Sequence, residues 1–480
     1  MSRSDSKPST RRDTIAAIAT PPGTGGVAVL RVSGPEARSL GLQIFHSTQA
    51  DFQDFTPRML HFGTICTPAG NVLDEVLTAY MPGPHSYTGE DVLEIHCHGG
   101  DAAPSAVLDL LLQHGARLAD RGEFTLRAFL AGRMDLTQAE AVAELIAAPG
   151  RAALHLAQTK LAGGLGTRVD ALRERLEHLR AQLCLAVDFP EEDVECLPPE
   201  DLIREVQHIR NRVDELLAGM ERARAWREGV MVVLAGRVNA GKSSLLNALL
   251  GRERAIVTER PGTTRDYIEE HLLLDGLRVR IVDTAGLRDP SSDTSDAAAA
   301  TIPVDEVEAA GMEISRELAS RAELVLFVVD GSRPLEPEEQ RIARDLAPGR
   351  TLAVLNKADQ PAAQPDPAAT LEQLDLETIR VSARTGTGIQ ELADRIRARC
   401  LRDTGEPDPD AAVPNARQAA LLRQANQELK ALAQDAVQGV PYDLMGVRLE
   451  GACEAMEALT GRIAPQDVLH SIFDNFCIGK

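Results

Sequence analysis

Aromatic side chains and positive charge are both scarce in this sequence of 480 residues. Phe, Trp and Tyr together make up only 3% of it, so it offers few of the stacking platforms on which proteins bind single-stranded nucleic acid. The formal net charge is -21, from 51 Lys and Arg against 72 Asp and Glu. This balance argues against a large basic surface that holds phosphates unaided, so a nucleic-acid substrate would need a partner or a local patch to help bind it.

Long apolar runs and paired cysteines are lacking too. No run of about eighteen apolar residues occurs, so we expect no membrane span. The polar start, MSRSDSKPSTRRDT, is not followed by the apolar stretch that a signal peptide needs. Seven scattered cysteines without a C-x-x-C pair suit reduced thiols, and we expect a cytoplasmic protein. The cysteines are Cys66, Cys97, Cys184, Cys196, Cys400, Cys453 and Cys477.

Residues 14–130 mix short β-like runs with turn signals and predict an α+β domain. The segments GGVAVLRVSG and DVLEIHCHGG are apolar runs closed by glycines, as strands often are. The segment PSAVLDLLLQHGA predicts a helix that ends near Gly115. His96 and His98 share one face of their strand, but no third ligand is apparent, so we do not expect a zinc site.

From about Met134 the apolar residues take on helical spacing, in two stripes separated by the acidic segment DFPEEDVECLPPED. We interpret the acidic segment as a solvated loop in preference to a metal site. The first stripe is Leu172, Leu176, Leu179 and Leu183, and the second is Val206, Ile209, Val213, Leu216, Leu217 and Met220.

From Val230 onward, buried strands alternate with helices. VMVVLAG, RVRIVDTAG, ELVLFVVDG, RTLAVLNK and TIRVSA are short runs rich in β-branched residues, which is typical of parallel strands buried on both faces. The helix GIQELADRIRARC, the linker RDTGEPDPDAAVP and a helical segment from Arg417 to about Leu459 follow. Helical segments on both sides of an α/β block predict a domain inserted into a helical one. The 44% hydrophobic and 26% charged content suits a globular chain of two or three domains.

The segment GRVNAGKSS follows a strand and opens a helix, as the phosphate-binding pattern G-x-x-x-x-G-K-[ST] requires. Gly236 and Gly241 let the backbone curl so that its N–H groups and the helix N-terminus face phosphate oxygens. Lys242 would reach the β and γ phosphates as a catalytic group, and the Ser243 hydroxyl would bind magnesium.

Three further motifs, each at the carboxyl end of a predicted strand, indicate a guanine nucleotide. DTAG supplies Asp283, which can reach magnesium through water, and Gly286, whose N–H can meet the γ-phosphate. In NKAD the Asp359 carboxylate can accept hydrogen bonds from guanine N1–H and N2–H, whereas adenine would leave it poorly paired. The segment SAR at residues 382–384 offers backbone N–H groups to guanine O6.

The segment TERPGTTRD is expected to be the first switch loop, in which the Thr264 hydroxyl would join magnesium when GTP is bound. A Ras-type GTPase carries a glutamine at the fifth position of DTAGLRD, and that side chain aims the attacking water. Leu287 occupies this position here and can neither donate nor accept a hydrogen bond. The residues alone leave open what positions the water.

Taken together, GRVNAGKSSLLNAL, PGTTRD, DTAGLR, NKAD, SARTG and the terminal CIGK resemble the MnmE (TrmE) family of tRNA-modification GTPases. The resemblance extends through TPPGTGGVAVLRVSG, SYTGEDVLEIHCHGG and RGEFTLRAFLAGRMDLTQAEAV, and so covers nearly the whole chain. It implies a multidomain α/β protein with an α+β, folate-binding-like N-terminal domain at residues 1–131. A helical domain at 132–228 and 402–480 would be interrupted by a Ras-like P-loop G domain with a mostly parallel sheet at 229–401.

The resemblance also implies how hydrolysis proceeds without the glutamine. A potassium ion would replace an arginine finger, held by Asn239 and by switch-loop carbonyls when two G domains meet. The water-orienting glutamate of the family lies in D-E-V-E-x-x-G, here DEVEAAG, which makes Glu308 the candidate catalytic residue. The low-complexity insertion PSSDTSDAAAATIP just before it departs from the family and leaves Glu306 as a substitute. The implied potassium ligands are Asn239, Thr258, Arg260 and Thr263.

For the first domain, the resemblance implies a homodimer interface and a site for 5,10-methylene- or 5-formyl-tetrahydrofolate, the one-carbon donor. The matching positions are Arg31, Glu94, Arg133 and Lys480. Cationic groups suit the glutamate carboxylates of folate, and Glu94 suits pterin N–H groups. Arg133 stands where some members have lysine, and it keeps the charge but cannot deprotonate. Cys477 would be either a reactive thiol or a buried structural cysteine.

The function implied is a cytoplasmic, potassium-activated and magnesium-dependent GTPase. With the FAD-containing protein MnmG (GidA) it would install an aminomethyl or carboxymethylaminomethyl group at C5 of the tRNA wobble uridine, and tRNA would bind mainly through that complex. One alternative is a regulatory or ribosome-assembly GTPase, but the mixed-charge helical end lacks the basic domain that it would need. Another makes the first domain a stand-alone folate-dependent transferase. The predicted GTP-binding residues are Asn239, Ala240, Gly241, Lys242, Ser243, Ser244, Thr258, Glu259, Arg260, Pro261, Gly262, Thr263, Thr264, Asp283, Thr284, Ala285, Gly286, Asn356, Lys357, Asp359, Ser382, Ala383 and Arg384.

Overall fold

The structure, a computed structural model, divides into two compact units. It describes residues 13–188, 198–237, 239–252, 268–283, 318, 321–402 and 411–480. The first unit comprises Met1–Ile146, Lys160–Val213 and Ala416–Lys480, and the second comprises Ala147–Thr159 and Asp214–Asn415. The second unit therefore interrupts the sequence of the first, in agreement with the insertion that the helical flanks predict.

A seven-stranded sheet forms the N-terminal part of the first unit. Its strands are β1 (Ile15–Ile18), β2 (Val27–Ser33), β3 (Phe45–Ser47), β4 (Leu60–Cys66), β5 (Val72–Met81), β6 (Val92–His98) and β7 (Arg117–Leu118). Their order is β3-β4-β5-β6-β2-β1-β7, and the pairs are antiparallel except β1 with β7. The accompanying helices are α1 (Ala37–Ile44), α2 (Ala102–Gln113) and α3 (Glu123–Leu130).

Alternation along the strands decides which side chains of this sheet enter the core. Leu30 and Val32 of β2 and Ile95 of β6 are buried in one cluster with residues of α1 and α2. Arg31 lies between Leu30 and Val32, and Glu94 directly precedes Ile95. Arg31 and Glu94 are register partners, so their side chains lie together on the opposite face of the sheet.

The helical spacing expected after Met134 is confirmed. The helices are α4 (Leu136–Ala147), α5 (Arg151–Leu161), α6 (Gly164–Asp188) and α7 (Pro199–Glu228). All four leucines of the first stripe lie in α6 and are buried, and in α7 so are Val206, Ile209 and Val213. Burial of these stripes, more than intrinsic propensity, stabilises such long helices. The acidic segment between the stripes lies largely outside the described residues.

A six-stranded sheet forms the core of the second unit. Its strands are β8 (Val230–Ala235), β9 (Ile268–Leu274), β10 (Leu277–Asp283), β11 (Leu324–Asp330), β12 (Thr351–Asn356) and β13 (Glu377–Arg380). The helices are α8 (Lys242–Arg252), α9 (Pro337–Asp345), α10 (Pro367–Glu372) and α11 (Ile389–Cys400). The order is β13-β12-β11-β8-β10-β9, parallel apart from β9 with β10. The next strands in sequence, β9 and β10, lie on one side of β8, whereas β11 lies on its other side. This reversal creates a topological switch point at the carboxyl end of β8.

The chain then returns to the first unit in three helices, α12 (Ala416–Val437), α13 (Tyr442–Thr460) and α14 (Gln466–Phe473). The helical segment predicted from Arg417 to about Leu459 is confirmed and consists of two helices, which are separated at Gly439, with φ +68°, and Pro441. Helix α13 packs against α12 and α6. No helix in the described ranges is long and apolar enough to cross a membrane. The predicted fold class is confirmed, whereas the boundaries at 131, 228 and 401 stay predictions.

Candidate guanine-nucleotide site

Two glycines shape the loop between β8 and α8. Gly236 has φ +138° and Gly241 has φ +94°, values that side-chain-bearing residues rarely adopt. A Cβ on Gly236 would lie 2.2 Å from the Val328 carbonyl oxygen, and one on Gly241 would lie 2.3 Å from Asn356 Nδ2. The loop therefore closes tightly against β11 and β12 and leads straight into the N-terminus of α8, whose N–H groups suit anions.

We expect Gly236→Ala to destabilise the second unit by about 2–4 kcal/mol, since the new side chain meets both an unfavourable φ and a backbone oxygen. Chemical denaturation measures the loss as a lower unfolding midpoint. Gly251→Ala is the matched control, because Gly251 lies within α8 and a Cβ there has no described atom within 4 Å. That change should be neutral or slightly stabilising. Equal midpoints for Gly236→Ala and the unaltered protein would contradict the tight approach.

Lys242 holds its ammonium group inside this loop. The residue is 5% exposed, and Nζ donates to the carbonyl oxygens of Gly236 at 2.7 Å and Arg237 at 2.8 Å. An ammonium group has three donors, so phosphate oxygens can share it or replace these carbonyls. The geometry places a positive charge at the mouth of an anion-binding loop.

Ser243 and Asp283 meet at the carboxyl edge of the sheet. Asp283 ends β10 in register with Leu234 of β8, and Ser243 follows the first residue of α8. Ser243 Oγ donates to Asp283 Oδ2 at 3.2 Å, and Asp283 is 2% exposed. A hydroxyl and a carboxylate are hard oxygen ligands of the kind magnesium prefers, so this pair fits the ion.

Asn356 joins three loops of the site. It ends β12 and is 2% exposed. Its Nδ2 donates to the Ala240 carbonyl at 3.1 Å, and its Oδ1 accepts the Ala383 N–H at 3.1 Å. One buried amide thus fixes the phosphate loop relative to the loop at residues 382–384.

The carboxylate of Asp359 lies at the rim of this arrangement. Ser382 Oγ donates to its Oδ1 at 2.5 Å, and Arg384 Nε donates to its Oδ2 at 2.9 Å. The hydrogen bond from Ser382 and that from Arg384 lower the pKa of the Asp359 carboxyl below its ordinary value. The group is therefore ionised at neutral pH and accepts only, as recognition of two guanine N–H donors requires.

Some of the remaining predicted positions lie among the residues that the structure describes, and the others lie outside them. Asn239 is exposed in the phosphate loop at φ +64°, Ala240 is buried, and Ser244 is exposed on α8. The predicted residues outside the described ranges are Thr258, Glu259, Arg260, Pro261, Gly262, Thr263, Thr264, Thr284, Ala285, Gly286, Glu306 and Glu308, together with Leu287.

Two ion pairs beside the site were not predicted. Lys357 of NKAD donates to Asp330 Oδ2 at 2.7 Å, and Arg237 of the phosphate loop pairs with Glu336. The first pair has a signal in the sequence, because Asp330 ends the strand ELVLFVVDG just as Asp283 ends RVRIVDTAG. The Arg237–Glu336 pair has no such signal, because Glu336 lies in a loop far from Arg237 in the sequence.

A second cluster lies in the first unit around Arg31 and Glu94. Arg31 Nε donates to Glu94 Oε1 at 2.9 Å, and the guanidinium lies 5.4 Å from the Tyr87 ring centroid and 5.8 Å from that of Phe124. Arg31 Nη1 also donates to the carbonyl of Gly479 at 3.4 Å. An ion pair, aromatic rings and the C-terminal tail therefore come together here.

The other candidates of the first unit are less tightly placed. Arg133 is exposed after α3, and Lys480 is half-buried at the end of the tail. Cys477 is exposed, so its interpretation as a buried structural cysteine is wrong. His98 Nδ1 lies 2.7 Å from Asp74 Oδ1, and within the described part of the chain no three His, Cys, Asp or Glu side chains form a possible metal site.

Comparison with known proteins decides the family. The family model described as the MnmE helical domain matches residues 136–477, and that of the GTP-binding protein TrmE N-terminus matches residues 14–133. A tRNA modification GTPase MnmE of Nitratidesulfovibrio vulgaris (strain DP4) is 52% identical over 470 residues, which cover 98% of this chain and 99% of the relative. The chain belongs to the MnmE family. As a member of this family of GTPases it is a GTP hydrolase, and it uses GTP with magnesium.

Other MnmE relatives cover the chain equally well. The tRNA modification GTPase MnmE of Lawsonia intracellularis is 44% identical over 98% of this chain and 100% of its own length. That of Geobacter sulfurreducens is 42% identical over 98% and 99%. Among solved structures, the G domain of the T. maritima FeoB iron transporter covers 35% of this chain and 98% of its own, with 24% identity and a TM-score of 0.24. The Ras-like assignment of the second unit rests on its own sheet order.

Proposed function

We propose that this MnmE-family GTPase acts in tRNA modification together with the FAD-containing protein MnmG. The two would add an aminomethyl or carboxymethylaminomethyl group at C5 of the wobble uridine, with a tetrahydrofolate one-carbon unit. The observation that carries the proposal is the combination of the Lys242 phosphate loop with the Asp359 carboxylate at one sheet edge, in a chain that matches MnmE relatives over 98% of its length. We further propose a cytoplasmic homodimer that binds tRNA mainly through the partner, since the net charge of -21 disfavours unaided binding.

Within the G domain, the described residues provide the charged and polar groups that would hold the nucleotide and magnesium. Lys242 would bind β and γ phosphate oxygens, while Ser243 directly, and Asp283 through water, would hold magnesium, with Thr264 as a further ligand. Magnesium, when bound, neutralises charge on the phosphates. Asp359 would accept the guanine N1–H and N2–H, and the backbone N–H groups near Ala383 would meet O6. GTP hydrolysis would open and close the G domains and leave the carbon chemistry to the folate and the flavin.

We also propose that potassium and Glu308 together replace the glutamine and arginine finger of other GTPases. Two facts support this: Leu287 has no polar side-chain atom to orient water, and Asn239 is an exposed amide three residues before Lys242 in the phosphate loop. Asn239 would hold the ion together with Thr258, Arg260 and Thr263. Potassium, when bound, supplies positive charge beside the β–γ bridge.

The test is GTP turnover in potassium chloride and in sodium chloride at equal ionic strength. We expect at least about tenfold faster turnover with potassium, because the ion supplies charge that an arginine supplies elsewhere. Asn239→Ala should abolish this difference without lowering the rate in sodium. Asn247→Ala serves as the control, because Asn247 is an exposed amide on α8 outside the predicted nucleotide-binding residues. Equal rates of the unaltered protein in the two salts would refute the potassium proposal.

In the first unit, the Arg31–Glu94 cluster supports a tetrahydrofolate site. The planar pyrimidine ring of the reduced pterin can stack on the partly exposed Tyr87 ring and donate to Glu94, while Arg31, Arg133 and Lys480 attract the carboxylates. We expect Arg31→Met to weaken 5-formyl-tetrahydrofolate binding by about tenfold, the loss of one charged hydrogen bond. Calorimetric titration measures it. Arg38→Met is the matched control, because Arg38 also pairs with a carboxylate, Asp54, at an exposed position. If the two variants bind 5-formyl-tetrahydrofolate with equal affinity, Arg31 is not part of the folate site.

A further inference from the structure

The carboxylate of Asp359 has donors on both oxygens. Ser382 donates to Oδ1 at 2.5 Å, while Arg384 donates to Oδ2 through Nε at 2.9 Å and through Nη2 as well. The two donors differ in their surroundings. Ser382 is fully buried, whereas the Arg384 side chain is 77% exposed and that of Asp359 only 9%. The Ser382 hydroxyl is thus part of the protein interior, whereas the Arg384 guanidinium lies mostly in solvent.

The guanidinium of Arg384 resembles the edge of a guanine base in its hydrogen bonding. Arginine presents Nε–H and Nη–H as parallel donors on a planar fork, and guanine presents N1–H and N2–H in the same manner. Both groups are suited to an ionised carboxylate. A guanine base that approaches Asp359 must therefore compete with Arg384 for the lone pairs of Oδ2.

We propose that Arg384 determines the guanine-nucleotide affinity of this site by binding the Asp359 carboxylate whenever the base is absent. The proposal rests on the proposed role of Asp359 in guanine recognition and adds a competitor to it. The side chain swings into solvent as the base enters, and it returns to Asp359 as the base leaves. GTP and GDP then bind more weakly than they would at an unoccupied carboxylate.

The size of the effect follows from the exposure of the pair. A solvent-exposed ion pair changes an equilibrium constant by about two- to fivefold. The backbone around residues 382–384 is held independently of Arg384, because Asn356 accepts the Ala383 N–H and Ser382 Oγ accepts the Thr385 N–H at 3.2 Å. Removal of the guanidinium should therefore leave the pocket in place and take away only the competitor.

The experiment measures the Kd of N-methylanthraniloyl-GDP for the full chain by equilibrium fluorescence titration. Arg384→Met keeps an unbranched apolar side chain and removes the donor fork. We expect the Kd to fall about two- to fivefold, with a difference that shrinks as salt rises. The matched control is Arg380→Met, whose guanidinium pairs with Asp366 at a partly exposed position and should leave the Kd unchanged. An equal or higher Kd for Arg384→Met would overturn the proposal.

A second background separates this proposal from the guanine assignment. In Asp359→Asn protein the carboxylate is gone, so Arg384→Met should not alter the Kd of xanthosine diphosphate. An effect that persists there would show that Arg384 acts elsewhere, and it would overturn the competition. If Asp359→Asn fails to shift preference from guanosine to xanthosine nucleotides, the guanine assignment itself fails. If preference shifts but Arg384→Met leaves the Kd of GDP unchanged, the competition alone is wrong.

Discussion

We expect GTP turnover to fall about 10²- to 10³-fold when Lys242 is replaced by alanine, a loss typical of removing one preorganised electrostatic group. The ammonium lies within 2.8 Å of two loop carbonyls, Gly236 O and Arg237 O, at the point where the loop enters α8. The loop then lacks the ammonium group proposed to bind the β and γ phosphates, so charge that develops there during hydrolysis is less stabilised. Phosphate release at saturating GTP measures the effect.

The control for this change is Lys357→Met. Lys357 also belongs to the nucleotide site, but its ammonium pairs with Asp330 and not with the phosphate loop. We expect less than about a tenfold loss from it, because an ion pair at a partly exposed position contributes little. Unfolding midpoints of both variants show whether each is folded. A Lys242→Ala rate within about threefold of the unaltered protein would contradict the assigned role.

We expect Asp359→Asn to lower GTP affinity by about 10²- to 10³-fold, the loss of two hydrogen bonds to a charged acceptor. An asparagine amide would place a donor against the guanine N2–H group. Xanthine carries a carbonyl oxygen at C2, so it can accept that donor while its N1–H still meets the amide oxygen. Xanthosine triphosphate should therefore become the better ligand. Competition against N-methylanthraniloyl-GDP and its xanthosine counterpart measures both affinities.

Asp366→Asn is the matched control, since Asp366 also pairs with an arginine, Arg380, at the same edge of the unit but caps α10 instead of facing the phosphate loop. It should leave nucleotide preference unchanged. If Asp359→Asn binds GTP and xanthosine triphosphate in the same ratio as the unaltered protein, Asp359 does not recognise the base.

Much of the second unit was predictable, because local signals there agree with the global fold. The five predicted strands are short runs rich in β-branched residues, and each motif lies at a strand end, so Asp283, Asn356 and Asp359 are expected at one edge of a parallel sheet. Arg31 and Glu94 came together for another reason. Their strand register could not be deduced from the sequence pattern, and the two positions were predicted only through the family resemblance.

What was missed depends on contacts between distant segments. Nothing in GRVNAGKSS indicates that Arg237 pairs with Glu336, and nothing in SAR indicates that Arg384 binds Asp359 through its side chain. The break at Gly439 was overlooked, since apolar spacing continues on both sides of it. The exposure of Cys477 depends on how the last residues pack and had no local signal. Side-chain partners of this kind require the tertiary structure.

The most direct test of the central claim is the content of modified wobble uridine in tRNA, measured by mass spectrometry of its nucleosides. The measurement compares cells that lack their own MnmE and carry either this chain or its Lys242→Ala variant. We predict that the unaltered chain restores the C5-aminomethyl-type modification and that the variant, present at equal level, does not. Restoration by both, or by neither, would contradict a role for GTP hydrolysis by this chain in tRNA modification.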